Sequence, residues 1–388
     1  MKKVLILGGG FAGVEAAISL QKSGLFNVTL LSERDYLFIY PISIWVPVNG
    51  IDIEDAKLPL ASIQKAYPFT VIIDTIVAIQ STENKVVGIK QHYEYDYLIL
   101  AIGAEKVGHP GIENTLSICG KPIVSSQVKE SLDTLISRKN GKIAIGFGGN
   151  PKDKSAVRGG PAFEFAFNVH HYLKKLKIRE HFAISFFAPM ESPGARMGDK
   201  APAMIGKMLD NAGISQHYGK KIKEFQKTSI VFEDDKTIEA DLIMFIAASK
   251  GNSIFANSGL PLNDAGFVKI DDNCKVENIE NIFAIGDAAA IDGYDWVAKQ
   301  GHIAELMGRN AAYNIIQTEK GNNSRKGYHS HLNILCIMDT GNGAAFVLRN
   351  HKRAILLPLP IVGHWIKKAW GWYVKASKTG KFPRIPGM

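Results

Sequence analysis

The stretch Gly8-Gly9-Gly10-Phe11-Ala12-Gly13 lies between an apolar run, Val4-Leu5-Ile6-Leu7, and a segment of helical spacing, Val14 to Leu20. No other feature narrows the fold so far. In such a turn Gly8 allows the sharp reversal, Gly10 lets the backbone approach a pyrophosphate, and Gly13 lets helix and strand pack closely. The helix that follows offers unpaired N–H groups and a partial positive charge to phosphates. A second β-rich run, Asn27-Val28-Thr29-Leu30-Leu31, ends at Ser32-Glu33. An acid ~20 residues beyond the glycines accepts from both ribose hydroxyls and repels a 2′-phosphate, so Glu33 disfavours NADP here. The unit predicts a doubly wound parallel sheet that binds a dinucleotide.

Further along, Phe69 to Ile73 reads as a strand, and Lys85 to Ile89 followed by Tyr95 to Ala101 reads as a hairpin. A linker rich in Gly and Pro follows at 103–111. Lys142 to Phe147 opens a second βα unit whose helix is expected from Pro161, a residue suited to a first helical turn, through Leu176. Phe182 to Phe187 and Asp241 to Ala247 read as strands, and Ala201 to Ala212 as a helix. Ile282 to Asp287 then repeats the strand-and-turn pattern of the first fold. The expected architecture is α/β, with two Rossmann-like dinucleotide-binding domains, the second inserted in the first. The expected divisions are residues 1–115, 116–265, 266–325 and a C-terminal piece, 326–388, with a β-rich part and a membrane-associating segment.

Hydrophobic residues make up 46% of 388, enough for sizeable cores, and the longest apolar runs are of strand length. None approaches the ~20 residues of a spanning helix. Glu15 interrupts any reading of the start as a signal peptide, so the chain is expected to begin at Met1 inside the cell. Cys119, Cys274 and Cys336 are too few and too scattered for a disulfide scaffold or a zinc site, and no metal is expected. Cys274, amid Asp271, Asp272 and Asn273, reads as a surface loop.

Three segments together resemble the FAD/NAD-linked disulfide reductase superfamily: the Gly8–Gly13 turn with Glu33, Leu98-Ile99-Leu100-Ala101-Ile102-Gly103, and Gly259-Leu260-Pro261 through Asp287. The resemblance implies FAD, with Gly8, Gly10, Phe11, Ala12, Gly13, Glu33, Ala101, Gly103, Gly286 and Asp287 around it. Asp287 would accept from the ribityl chain or a phosphate-bound water, and the helix after it would point at the ring carbonyls. As a bare helix cap, Asp287 would need no cofactor. Members of the superfamily commonly repeat the glycine fingerprint in the inserted domain. Here that turn reads Gly146-Phe147-Gly148-Gly149-Asn150-Pro151, with the third glycine missing and a proline that has no N–H. Electrons are therefore not expected to enter from a nicotinamide. Lys152, Lys154 and Arg158 in the following loop suit either a phosphate or plain solvent.

The branch without that site contains the sulfide:quinone oxidoreductases and flavocytochrome sulfide dehydrogenases. Leu37 through Pro47, Gly160-Pro161-Ala162-Phe163-Glu164-Phe165, Ser192-Pro193-Gly194 through Gly198, Lys299-Gln300-Gly301 through Glu305 and Leu335-Cys336-Ile337-Met338-Asp339 through Val347 resemble its segments. The resemblance implies Pro41 and Lys299 beside the flavin, Cys336 as a redox thiol, Cys119 as a third family cysteine, and Glu164 as a proton handler. A second redox cysteine should precede Gly160, where this chain has Ala156-Val157-Arg158-Gly159. Three possibilities stand: Cys119 partners Cys336, Cys336 works alone with an external thiol or persulfide, or the activity differs. A buried spectator is the plain alternative for each cysteine, and a helix-dipole partner for Glu164.

The net charge is +9, and from His351 to Met388 there are eight Lys and Arg but no Asp or Glu. Such a tail suits nucleic acid or an anionic membrane. Trp365, Ile366, Ala369, Trp370 and Tyr373 share one helical face, with Lys367, Lys368, Lys375 and Lys378 mostly elsewhere, which favours a helix lying in a membrane interface and not nucleic acid. In the resembling family this segment lines a quinone slot, implying Phe346, Trp365 and Trp370 as its aromatic walls. The expected protein is a peripheral membrane flavoprotein, on the cytoplasmic side, that oxidises a small sulfur substrate and reduces quinone; a homo-oligomer is compatible with it. The alternatives are an NADH:quinone oxidoreductase and a non-catalytic flavin-bound sensor or partner module.

Overall fold

Residues 1–385 are described by a computed structural model. The last three residues of the expected C-terminal piece fall outside that range. The first sheet has five parallel strands in the spatial order Ile282–Ala284, Tyr97–Leu100, Lys2–Leu7, Phe26–Ser32, Thr70–Ile73. Its central strands are runs of Val, Ile and Leu because they are buried on both faces, and Val4 to Leu7 are at most 3% exposed. Helix Phe11–Ser23 follows directly from the glycine turn and ends on Gly24 in the left-handed region, φ 66°.

The second sheet, also parallel, is ordered Ile214–Tyr218, Phe182–Ala188, Gly141–Phe147, Leu242–Ile246. Phe163 on helix Gly160–Lys175 stacks on Phe186 of this sheet at 4.6 Å. The chain thus leaves the first sheet after Leu100, builds the second, and returns at Ile282. The expected hairpin is corrected: Lys85–Gly88 pairs with Ile76–Gln80 and His92–Glu94, while Tyr97–Leu100 joins the parallel sheet. Four consecutive buried residues suit a central strand, not a half-exposed hairpin arm. Cys274 is corrected too. It is fully buried, at φ 67°, beneath its acidic neighbours.

The C-terminal piece is a three-stranded antiparallel sheet, Ile334–Asp339, Gly343–Arg349 and Ala354–Pro360, then helix Val362–Lys378. The lysine placement expected from spacing is corrected on this helix. Lys367 and Lys378 are buried, 5% and 4% exposed, and Trp365 is 63% exposed. The inward face carries Gly363, Lys367, Gly371, Val374 and Lys378, because carboxylates from other helices wait there. Lys378 donates to Glu15 at 2.6 Å and to Glu305 at 2.7 Å, and Arg309 and Arg384 also pair with Glu15. Removing one partner from such a buried network leaves charge uncompensated. Glu15→Ala should lower stability by about 3 kcal/mol, read from urea unfolding followed by tryptophan fluorescence. No helix among the described residues is long and apolar enough to cross a membrane.

Candidate active site

One cavity of about 1940 Å³ runs along the carboxyl ends of the first sheet. The glycine turn contributes Gly8, Gly10, Phe11 and Ala12, and Glu33 follows from the next strand. Ala101, Gly103, Gly286 and Asp287 come from the strand ends on the other side, and Pro41 from a short helical turn. Gly13 does not line it; a Cβ there would meet the Gly8 carbonyl at 2.0 Å, so its work is helix–strand contact. Gly8 has φ +110° and approaches the Ala101 carbonyl in the same way.

The cradle fits a dinucleotide. A Cβ on Gly10 would project into open space, where a phosphate would lie. Helices Phe11–Ser23 and Gly301–Glu319 both begin at the cavity, and neither N-terminus is capped by a side chain. Two uncapped helix starts supply donors and positive potential for anionic or carbonyl oxygens. The helix after Asp287 starts later than expected, since Gly286–Ala288 is only a short 3₁₀ turn and the helix begins at Gly301. The second glycine turn is filled by its own side chain. Asn150 donates to the Ser249 carbonyl at 2.8 Å and accepts from the Lys152 N–H at 2.9 Å. The following helix starts only at Gly160, away from the strand end at Phe147.

The remaining walls carry the reactive groups. Cys119, Glu164, Lys299, Cys336, Phe346 and Trp370 all face the same cavity. Trp365 does not, which corrects its expected role as a wall; it lies on the outward face with Val362, Ile366, Ala369 and Trp372. Lys367 replaces it, reaching inward to donate to Glu164. Sequence reading missed Lys367 because a lysine on an aromatic helix is ordinarily a solvated one. It also missed Lys106, just past the Ala101–Gly103 turn, and the pairing of Arg158, read there as a loop cation, with Asp287.

Both thiols are free and sit higher than a lowered-pKa thiolate would, contrary to the simple redox expectation. Burial pushes Cys336 up to about 12, the Glu164 carboxylate adds to this, and Lys367 opposes it. Cys119 is also raised by burial, with Lys106 and Arg158 pulling the other way and Glu164 adding to the rise. Burial raises Glu164 against the pull of Lys367 and of the Asp339 N–H, which donates at 2.8 Å. Glu164 thus influences Cys336, with Lys367 paired to the carboxylate and solvent screening reduced by burial.

Lys299 donates to the Ala289 carbonyl and lies 4.0 Å from the Phe267 ring centroid. Burial pushes it down to about 7, while Asp153 opposes and Arg158 reinforces the shift. The folded chain then binds fewer protons than the unfolded one between pH 7 and ~10.5, so stability rises with pH across that window. Melting of the flavin-free protein should move upward from pH 7 to pH 9. Lys299→Met should flatten that slope.

The family model "Pyridine nucleotide-disulphide oxidoreductase" matches residues 2–308. The chain is 25% identical to the sulfide-quinone reductase of Aquifex aeolicus, over 96% of this chain and 90% of that protein. It is 22% identical to a type II NADH:quinone oxidoreductase of Staphylococcus epidermidis, over 98% and 99%. The crystal structure of the Aquifex aeolicus sulfide:quinone oxidoreductase superposes with a TM-score of 0.88 at 23% identity, covering 98% of this chain and 92% of that one. With the glycine cradle, the two uncapped helix starts and this family match in hand, the chain belongs to the pyridine nucleotide-disulphide oxidoreductase family and is an FAD-dependent oxidoreductase.

Proposed function

We propose that this enzyme oxidises sulfide, or a related sulfur species, and passes the electron pair through FAD to a membrane quinone. The observation that carries the reading is that Cys336 and Cys119 open onto the same cavity as the dinucleotide cradle. FAD held by that cradle would supply a two-electron acceptor in the cavity that the thiols line. Lys106 and Arg158, which influence Cys119, give an anionic sulfur substrate a favourable approach. The Glu164–Lys367 ion pair stands on the same cavity wall and influences Cys336. Arg158 stands in the stretch where a second redox cysteine was expected, so Cys336 works either with Cys119 or with an external thiol or persulfide. Phe346 and Trp370 are proposed as the aromatic contacts of the quinone ring.

Attachment to a membrane surface is supported by the outward stripe Val362, Trp365, Ile366 and Trp372, each at least 40% exposed. Its spacing of three and four on one helix, with Lys368 beside Trp365 at 5.1 Å, matches an interfacial helix.

The second reading, NADH:quinone oxidoreduction, is favoured by the type II relatives and opposed by the turn that Asn150 fills. Steady-state reduction of a short-chain quinone separates them. The sulfur reading expects turnover with sulfide at least ~10²-fold faster in kcat/KM than with NADH, a gap of about 2.7 kcal/mol in transition-state stabilisation. The reverse order would overturn it.

A further inference from the structure

Asp339 ends the strand Ile334–Asp339 with its side chain wholly buried. Its backbone N–H donates to Glu164 Oε1 at 2.8 Å, tying it to the cavity wall. Its carboxylate turns the other way. There Oδ1 accepts from the Gly341 N–H at 2.8 Å, and Oδ2 lies 2.7 Å from His364 Nδ1. His364 sits three residues before Lys367 on the C-terminal helix, so the two side chains share its inward flank. Lys367 and Glu164 line the cavity; the His364 side chain does not, and it retains 20% exposure.

The imidazole is confined by identifiable groups. The Trp45 ring meets it edge-on at 5.3 Å. From helix Gly160–Lys175, His171 faces both His364 and Asp339, and its pKa is lowered by burial and then by the His364 charge. Lys367 and Lys368 are its neighbours on its own helix. A carboxylate on Nδ1 fixes the tautomer and leaves Nε2 as the exchanging nitrogen. Asp339 thus meets Glu164 through its N–H and His364 through its carboxylate, and the partly exposed His364 lies one helical turn before the buried Lys367.

We propose that Asp339 and His364 form the solvent end of a proton path that reprotonates the Glu164–Lys367 pair when quinone is reduced in the cavity. The proposal rests on the quinone reading above. Reduction of a quinone to a quinol takes two electrons and two protons. The electron pair and one proton would be supplied as a hydride equivalent by FAD reduced in the cradle, and the second proton comes from Lys367 Nζ to the other quinone oxygen. That O–H bond forms as an N–H bond breaks, leaving a neutral amine against Glu164. The His364 imidazolium returns a proton to the amine and is itself recharged from solvent. Asp339 is a positioning residue here, since it acts through His364.

The test uses the flavin-loaded enzyme with a short-chain quinone in stopped flow. His364→Ala should slow reoxidation of the reduced flavin by roughly tenfold, less than the ~10²-fold of a group acting directly. The slowing should shrink as rising pH deprotonates the imidazole of the unaltered enzyme, and added imidazole should reverse it. His364→Gln, which keeps a donor for Asp339, should be equally slow and show the same pH behaviour as His364→Ala. In ¹⁵N-histidine-labelled protein, the unaltered enzyme should show a strongly deshielded Nδ1 proton that is missing from His364→Gln. Unchanged reoxidation in both variants, or no such resonance, overturns the proposal alone. If the unaltered enzyme reduces no quinone, the parent reading falls and this one with it.

Discussion

Gly10→Val is expected to give a folded protein that purifies without flavin colour. Gly10 has φ −84° and ψ −172°, a conformation open to any residue, and nothing lies within 4 Å of the position its Cβ would take. The variant should therefore keep the fold, apart from a poorer helix cap that costs about 1 kcal/mol. The isopropyl group would instead fill the space in which the pyrophosphate meets the start of helix Phe11–Ser23. FAD affinity should fall by ~10²-fold or more, at least about 2.7 kcal/mol, measured by reconstitution and equilibrium dialysis. Gly8→Ala would be a poorer probe, because its Cβ would lie 2.3 Å from the Ala101 carbonyl and the strand itself would have to move. A yellow Gly10→Val protein of ordinary affinity would mean that the diphosphate is bound elsewhere.

Cys336→Ala should abolish sulfide-dependent reduction of the flavin, with a loss on the order of 10³-fold or more, the scale seen when a covalent nucleophile is removed. The side chain is small, and it packs in a strand whose register with Gly343–Arg349 does not depend on sulfur, so the fold should persist. Rapid mixing of flavin-loaded protein with sulfide gives the rate. Cys119→Ala decides how the thiols share the work. If they act as a pair, each single variant and the double variant should lose about the same factor, because groups acting as a unit are not additive. If Cys336 works with an external thiol, Cys119→Ala should retain most of the rate, with a change mainly in substrate affinity from the Lys106 and Arg158 surroundings. Full activity in Cys336→Ala would remove the thiol mechanism.

Much of the fold was legible because its signals are local. The strand-turn-helix at Gly8–Gly13 and the return strand before Gly286 are set by residues adjacent in sequence, and they appear where spacing put them. The failures share one cause. Lys85–Gly88 and Tyr97–Leu100 look like two arms of a hairpin, yet partners far along the chain decide where each goes. Lys367 and Lys378 look solvated until Glu164, Glu15 and Glu305 are brought beneath them from three other helices. Trp365 and Trp370, by contrast, are five residues apart, about 140° around a helix, so one lies outward and the other faces the cavity, a split the spacing already carried. Arg158 was noticed only as a cation in a loop. Its pairing with Asp287 joins residues 129 positions apart and no sequence pattern marks it.

The central claim is that a thiol in this cavity hands a sulfur substrate's electron pair to FAD. Anaerobic titration of the flavin-loaded protein with sulfide, followed at the flavin absorption band, tests it most directly. The account predicts stoichiometric bleaching by sulfide in the unaltered protein, none in Cys336→Ala, and little with NADH in either. Bleaching by NADH with no response to sulfide would contradict it.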